Sequence, residues 1–283
     1  MSEPFLSGRA GHVGPRRAVA LHALDRLLDA SLQLRGVPRA VDRVAPAVPR
    51  RRVLALCVYR PRRELAGPAV AALRRTRHEL TLALGATADA DPALAADTVA
   101  TGLRGGKFEN LNSILRISGL DPGQADWTVV LDDDVVLPPR FLDRLVGLCE
   151  RFGLALAQPA QTLASHAAWG VTRRRPLPIA RETAFVEIGP VTALRGDAAR
   201  ELMPFPELRY GWGLDLHWAA LAREGGWRLG VLDALPVRHE RAGVASAYGH
   251  EQAVAEARRF LDGRPYLHRD QAARTLAVHR RVR

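Results

Sequence analysis

Lysine is almost absent from this chain: of 41 basic residues only Lys107 is lysine, and the others are arginine. Arginine recurs with alanine throughout, so the net charge of +11 reflects compositional bias at least as much as a binding patch. Aromatic residues make up only 6% of the chain. Few of them interleave with the arginine groups Arg50–Arg52, Arg60–Arg63, Arg173–Arg175 and His279–Arg283. A single-strand stacking platform needs that interleaving, so nucleic acid is not the expected main partner. No apolar run approaches the roughly 18 to 20 residues that span a bilayer. The start MSEPFLSGRAGHVGPRR lacks the apolar segment of a secretory signal, and the expectation is a soluble, cytoplasmic protein without a transmembrane segment. The two cysteines, Cys57 and Cys149, fall in a predicted strand and a predicted helix, as small core residues.

What is present is an alternation of strands and helices. Residues 1–50 read as an extension, with a helix over Ala18–Leu34 followed by a Pro-rich linker. Residues 51–241 read as the main domain. It opens with a strand over Val53–Tyr59, a helix over Leu65–Arg77 and a strand over Glu79–Leu84. Helices over Gly106–Ser118 and Pro139–Phe152 flank an apolar strand, and Leu154–Pro159 reads as another strand. Further strands are expected over Ala184–Ile188, Val191–Leu194 and Arg228–Leu232, with a helix over Leu216–Glu224. Residues 242–283 read as a basic helical tail. The fold class is α/β, a mostly parallel Rossmann-like sheet flanked by helices, with helical extensions at both ends.

Chemistry concentrates where the apolar run Thr128–Leu131 ends in three adjacent acids, Asp132, Asp133 and Asp134. A continuous β-branched and aliphatic run suits a strand covered on both faces. Three carboxylates at its end repel one another, which solvent or a divalent cation relieves. Open α/β sheets bind ligands outside the carboxyl ends of their strands. The bland alternative is a solvated acidic turn that caps the following helix.

Four segments in order resemble nucleotide-sugar glycosyltransferases of the GT-A fold, especially family 2 and its metal-dependent relatives. Asp132-Asp133-Asp134 is similar to their DxD motif, and Gly106-Lys107 with Asn112 resembles a Gly-Lys-four-residues-Asn helix start. Gly211-Trp212-Gly213-Leu214-Asp215 resembles the loop before the catalytic acid of inverting enzymes. Val237-Arg238-His239 resembles the segment with a late histidine that completes a metal site.

The resemblance implies a divalent metal, Mn2+ or Mg2+, held by Asp134 and His239 with Asp132 sharing the metal or contacting a ribose. It implies Asp215 as general base, against a bland role as helix N-cap. Tyr59, Arg60, Lys107, Asn112, Asp133 and Trp212 fall at donor-binding positions by the same resemblance. The implied partner is a nucleotide-sugar donor, a UDP- or GDP-sugar, and the reading admits a small-molecule or natural-product acceptor and a homo-oligomer. Mn2+ tolerates an imidazole ligand better than Mg2+ does. The second strand lacks an acid directly at its end, so Asp89 or Asp91 would have to contact the base, and the nucleotide stays open.

Three other readings compete, one of them a binding protein on the same scaffold that has lost catalysis, which the presence of Asp134, Asp215 and His239 disfavours. Asp132-Asp-Asp134-Val-Val also satisfies the Asp-x-Asp-x-Val pattern of haloacid-dehalogenase-type phosphohydrolases, with Asp132 as nucleophile and Asp134 as general acid. That chemistry needs a lysine downstream of the motif, and Lys107 lies upstream. A nucleotidyltransferase of related fold would use the same metal logic, but Arg60-Pro-Arg-Arg63 lacks the glycines of its signature loop.

Overall fold

The structure, a computed structural model, describes residues 3–7, 13–61, 66–240 and 249–282. Two helices open the chain, α1 (Pro15–Leu34) and α2 (Val37–Val44). There follow β1 (Arg52–Tyr59), α3 (Ala66–Arg74), β2 (Glu79–Ala86), β3 (Thr98–Ala100) and α4 (Lys107–Ser118). The middle of the chain forms β4 (Trp127–Asp132), β5 (Val135–Val136), α5 (Phe141–Arg151), β6 (Leu156–Gln161), β7 (Ala180–Thr183) and β8 (Val191–Arg195). The remainder is α6 (Gly196–Leu202), α7 (Leu214–Glu224), β9 (Leu229–His239), α8 (His250–Leu261), α9 (Arg269–Ala272) and β10 (Thr275–His279).

The sheet runs in the order β10-β7-β9-β6-β8-β4-β1-β2-β3, with β5 paired to β9 off this path. The half β3-β2-β1-β4 is parallel throughout. Beyond β4, β8 and β7 run against the others, and β6 and β9 pair in parallel, so most strands share one direction. The expected α/β class therefore holds, with a mixed second half that local alternation does not announce.

Both faces of the sheet are covered, which explains why its central strands lack polar alternation. Val53, Ala55, Cys57 and Tyr59 of β1 enter one core with α2, α3 and α5. Leu54 and Leu56 enter the other, with residues of α4, α6, α7 and α8. Cys57 and Cys149 are both free and buried, and burial raises both thiols above their usual range.

Four expectations need correction. The Pro-rich stretch after α1 is a helix, not a linker: Pro38 sits in the first turn of α2, where its missing N–H costs nothing, and Val37 and Val41 are buried. The strand expected over Ala184–Ile188 is displaced to Ala180–Thr183, and 184–188 is an irregular segment leading into the site. The tail is helical only in part, because β10 returns to pair antiparallel with β7. Its residues Ala257, Phe260, Leu261 and Ala272 belong to the second core, so this segment packs as part of the folded body. The expected helix over Leu65–Arg77 is shorter, ending at Arg74.

Candidate metal centre and active site

The acids stand where the sheet's strand direction predicts. β1 and β4 are parallel neighbours, with Val58 registered opposite Asp132, so Arg60 follows one strand beside the acids that follow the other. The Asp133 carboxylate accepts the Arg60 backbone N–H at 2.8 Å and its Nε–H at 2.9 Å, and a second guanidinium nitrogen as well. Asp133 is only 4% exposed, and this pairing supplies the partner that a buried carboxylate requires. It leaves Asp132 and Asp134 as the acids turned toward a common space.

His239 joins them through β5. The short strand registers Val135 opposite His239, and Asp134 O accepts the Glu240 N–H at 3.0 Å. His239 Nε2 then lies 2.9 Å from Asp134 Oδ1. Asp132, Asp134 and His239 each offer one ligand atom, and those atoms lie within 4.8 Å of one another. Burial pushes Asp134 up, but the hydrogen bond and charge of His239 and the charge of Arg60 outweigh it, so the carboxyl lies below its usual range. For His239, burial lowers the imidazole, while the Asp134 hydrogen bond and the charges of Asp132 and Asp134 raise it overall.

Lys107 approaches from the first turn of α4. Its Nζ lies 2.6 Å from Asp132 Oδ1 and donates to Ile188 O at 2.8 Å. The helix start is held by Glu109, which accepts the Gly106 N–H at 2.6 Å. A Cβ on Gly106 would stand 1.7 Å from Arg209 O, so only glycine lets the 209–213 loop cross the start of α4 this closely.

Ile188 links this cluster to Asp215. Its carbonyl accepts Lys107, and its backbone N–H favours the charged form of the Asp215 carboxylate, which accepts the Leu216 N–H at 3.0 Å. Asp215 is not the N-cap: α7 begins at Leu214 with Gly213 before it, placing Asp215 inside the first turn. Burial, and then the charge of Glu187, push Asp215 up to about 7. Glu187 is itself raised to about 7 by burial, against hydrogen bonds from Thr172 Oγ1 (2.9 Å), Trp169 N (2.8 Å) and Gln161 Nε2 (2.8 Å). The charge of Glu187 thus helps hold Asp215 up, beside the candidate metal ligands.

The remaining candidates stand apart from the acids. Tyr59 is buried in the first core, and its hydroxyl holds Thr98 Oγ1 at 2.9 Å and the Asp91 N–H at 3.0 Å, fixing the loop after β2. Asn112 exchanges two hydrogen bonds with the Phe205 backbone, at 2.7 and 2.9 Å, and holds the loop that leads to α7. Trp212 is half-buried and packs edge-on against His250 of α8. Asp89 is exposed after β2. Glu256, which lies in the predicted tail, accepts the backbone N–H groups of Arg209, Tyr210 and Gly211 at 2.8, 2.9 and 3.0 Å. No local signal marks that role, because an acid on an amphipathic helix reads as a solvated charge.

The sequence matches no protein-family model and no curated protein. Solved structures do resemble it. The mannosyltransferase PcManGT from Pyrobaculum calidifontis, in complex with GDP-Man and Mn2+, superposes with a TM-score of 0.55 at 16% identity, covering 90% of this chain and 78% of that one. The chain has a GT-A fold. A second GT-A neighbour, S. aureus TarS 1-349 in complex with UDP-GlcNAc, gives a TM-score of 0.52 at 14% identity over 74% of this chain and 65% of that one. Within this GT-A frame, Asp132, Asp134 and His239 form an oxygen- and nitrogen-donor set suited to a divalent ion. Two carboxylates and one neutral imidazole fit a divalent ion in charge and donor type.

Proposed function

We propose that this protein is a metal-dependent glycosyltransferase that moves a sugar from a nucleoside-diphosphate donor to an acceptor hydroxyl with inversion. The observation that carries the proposal is the convergence of Asp132, Asp134, His239, Lys107 and Asp215 at one rim of the sheet. When bound, the divalent ion would supply Lewis-acid stabilisation of the leaving diphosphate, with Asp132, Asp134 and His239 as its protein ligands.

The chain's own residues divide the remaining work. Lys107 places a compact ammonium between Asp132 and the Ile188 carbonyl, where it can exchange its acid for a donor phosphate. Asp215 takes the proton of the acceptor hydroxyl as that oxygen attacks the anomeric carbon from the side opposite the diphosphate. A base raised to about 7 is matched to work near neutral pH, because it is basic enough to accept the proton and still substantially deprotonated there. The C–O bond to the diphosphate breaks as the bond to the acceptor oxygen forms, and the nucleoside diphosphate leaves with the electron pair. Arg60 keeps Asp133 paired and thereby orients the acid turn. Trp212, on the loop before Asp215, would offer its ring face to sugar C–H groups of the donor in this reading.

The test is a thermal-shift screen of UDP, GDP, UDP-sugars and GDP-sugars with and without Mn2+ or Mg2+. A ligand at 100 times its Kd stabilises the native state by about 2.7 kcal/mol. A shift that needs both nucleotide and metal, and that Asp134→Ala removes, supports the proposal and names the base. The absence of any nucleotide shift, together with hydrolysis of small phosphoesters, would overturn it in favour of the phosphohydrolase chemistry.

A further inference from the structure

Helix α1 is apolar on two opposite faces, and among the described residues only one of them meets the rest of the protein. Asp25 and Leu32 are buried, and Ala18, Leu21 and Leu28 on the same side are partly covered. The opposite side carries Val19, Ala20, Ala23, Leu24, Leu27, Ala30 and Leu34, all exposed. Among them Leu34 is 90% exposed, Val19 72%, Leu27 65% and Leu24 47%. Spacings of three, four and seven residues align these positions along the helix as one continuous stripe. A 20-residue helix is about 30 Å long, so the stripe extends far beyond a chance exposed leucine.

The charges around the stripe are ordered by sign. At 100° per residue, Arg26 borders it on one side and Arg17 and Arg35 on the other, while Arg16 lies at its first turn. The acids of α1 lie away from it. Asp25 is buried and accepts the Leu163 and Ala164 N–H groups at 3.0 and 3.2 Å. Asp29 pairs with Arg174 at 2.9 Å. Arg35 donates to Leu177 O at 2.8 Å and to Pro176 O at 3.2 Å, so the carboxyl end of the helix is tied to the body.

We propose that α1 lies flat on an anionic phospholipid surface, with Val19, Leu24, Leu27 and Leu34 entering the headgroup and acyl boundary and Arg16, Arg17 and Arg26 meeting lipid phosphates. An apolar stripe edged by arginine is the pattern that binds a bilayer in plane. No described helix is long and apolar enough to cross one. A second copy of the chain fits the stripe less well, because two copies facing each other would oppose arginine borders while the acids of α1 are already engaged with Leu163, Ala164 and Arg174, on a chain of net charge +11. Neutral lipid would satisfy the leucines and leave the arginines without partners.

The experiment is vesicle flotation of the full chain with phosphatidylglycerol-containing and pure phosphatidylcholine vesicles, for the wild type, Leu24→Glu/Leu27→Glu and Arg17→Ala/Arg26→Ala. The wild type should float with anionic vesicles and not with neutral ones, and added salt should weaken binding. Each leucine substitution should lower the partition coefficient by about tenfold or more. The arginine pair should lower it on anionic vesicles, with the melting temperature unchanged in all variants because these side chains are exposed. Equal flotation of wild type and variants would overturn the proposal. So would a concentration-dependent dimer that the leucine variants dissolve in the absence of any flotation. The nucleotide thermal-shift response is expected to be the same in every variant, so failure here is distinguishable from failure of the glycosyltransferase reading.

Discussion

His239 Nε2 and Asp134 Oδ1 lie 2.9 Å apart although 105 residues separate them in sequence. The contact exists because two residues of β5 pair antiparallel with the end of β9 and set Val135 opposite His239. A half-buried imidazole beside two carboxylates has a chemical consequence beyond packing, since removing it takes one donor from the candidate metal-binding group.

Mn2+ affinity should therefore fall by at least about tenfold in His239→Ala and in Asp134→Ala, as read by isothermal titration calorimetry without nucleotide. Asp133→Asn should have a smaller effect, through loss of the Arg60 pairing that orients the turn. Unchanged Mn2+ binding in Asp134→Ala would remove the metal assignment.

The pair Asp215 and Glu187 makes a prediction about pH. A general base works only when deprotonated, so kcat should rise with pH through about 7 and then level off. Glu187→Gln removes the neighbouring charge that helps raise Asp215, so the acid limb should move to lower pH. Asp215→Asn should retain donor binding while turnover falls by about 10² to 10⁴. An acid limb that stays in place in Glu187→Gln would show that the two carboxylates do not communicate.

The same pair has a stability signature with a definite sign. Both folded values lie at about 7, above the ordinary carboxyl value, so between about pH 4 and 7 the native state holds protons that the unfolded chain has released. Their contribution is present at low pH and is lost as pH rises toward 7 and above. A double variant, Glu187→Gln/Asp215→Asn, should flatten that slope in melting temperatures recorded from pH 4 to 8. A slope equal to that of the wild type would place both carboxyls in the ordinary range.

Much of this was legible in the sequence because the signals were local. The apolar run of β4 ends at Asp132, and a strand covered on both faces must deliver its last residues to a rim, so the acid cluster could be placed from its neighbours alone. Lys107 stood out by being a lone lysine, and it does meet Asp132. Features fixed by long-range pairing were less visible. β10 reads as part of a helical tail because its partner β7 lies far away in sequence. Glu187 could be named but given no role, since its raised protonation depends on burial among Gln161, Trp169 and Thr172. Tyr59 and Asn112 fell at resemblance positions, yet their polar groups hold neighbouring loops in place.

The ion pair of Arg181 with Asp233 is sealed inside the sheet, both side chains being fully buried and 2.7 Å apart. Arg181 also donates to Val171 O at 2.6 Å and Arg173 O at 2.9 Å, tying β7 and β9 to the segment that carries Thr172. Asp233→Ala would leave a guanidinium buried without its carboxylate and should cost about 3 to 5 kcal/mol in urea unfolding. Replacing both partners by apolar residues of similar volume should recover most of that loss, because the pair's net contribution is small once neither charge is stranded. If the double replacement is as unstable as Asp233→Ala, the backbone carbonyls that Arg181 serves matter more than the carboxylate.

Glu256 gives the last prediction. Its carboxylate collects three successive N–H groups, at Arg209, Tyr210 and Gly211, just before Trp212 and Asp215. Gly211 has φ of +74°, and a Cβ there would stand 2.2 Å from the Phe108 ring, so this loop is clamped from one side by α4 and from the other by α8. Glu256→Ala should destabilise the fold by about 1 to 2 kcal/mol, because water can reach this loop and partly replace the lost acceptor. The expected kinetic effect is lower turnover with nucleotide affinity unchanged, since the residues held by Glu256 lead to Asp215 and not to Asp132 and Asp134. Gln at this position keeps one acceptor oxygen and should fall between the two. A loss of stability with turnover intact would mean that the loop finds its place without Glu256 and that α8 serves the fold alone.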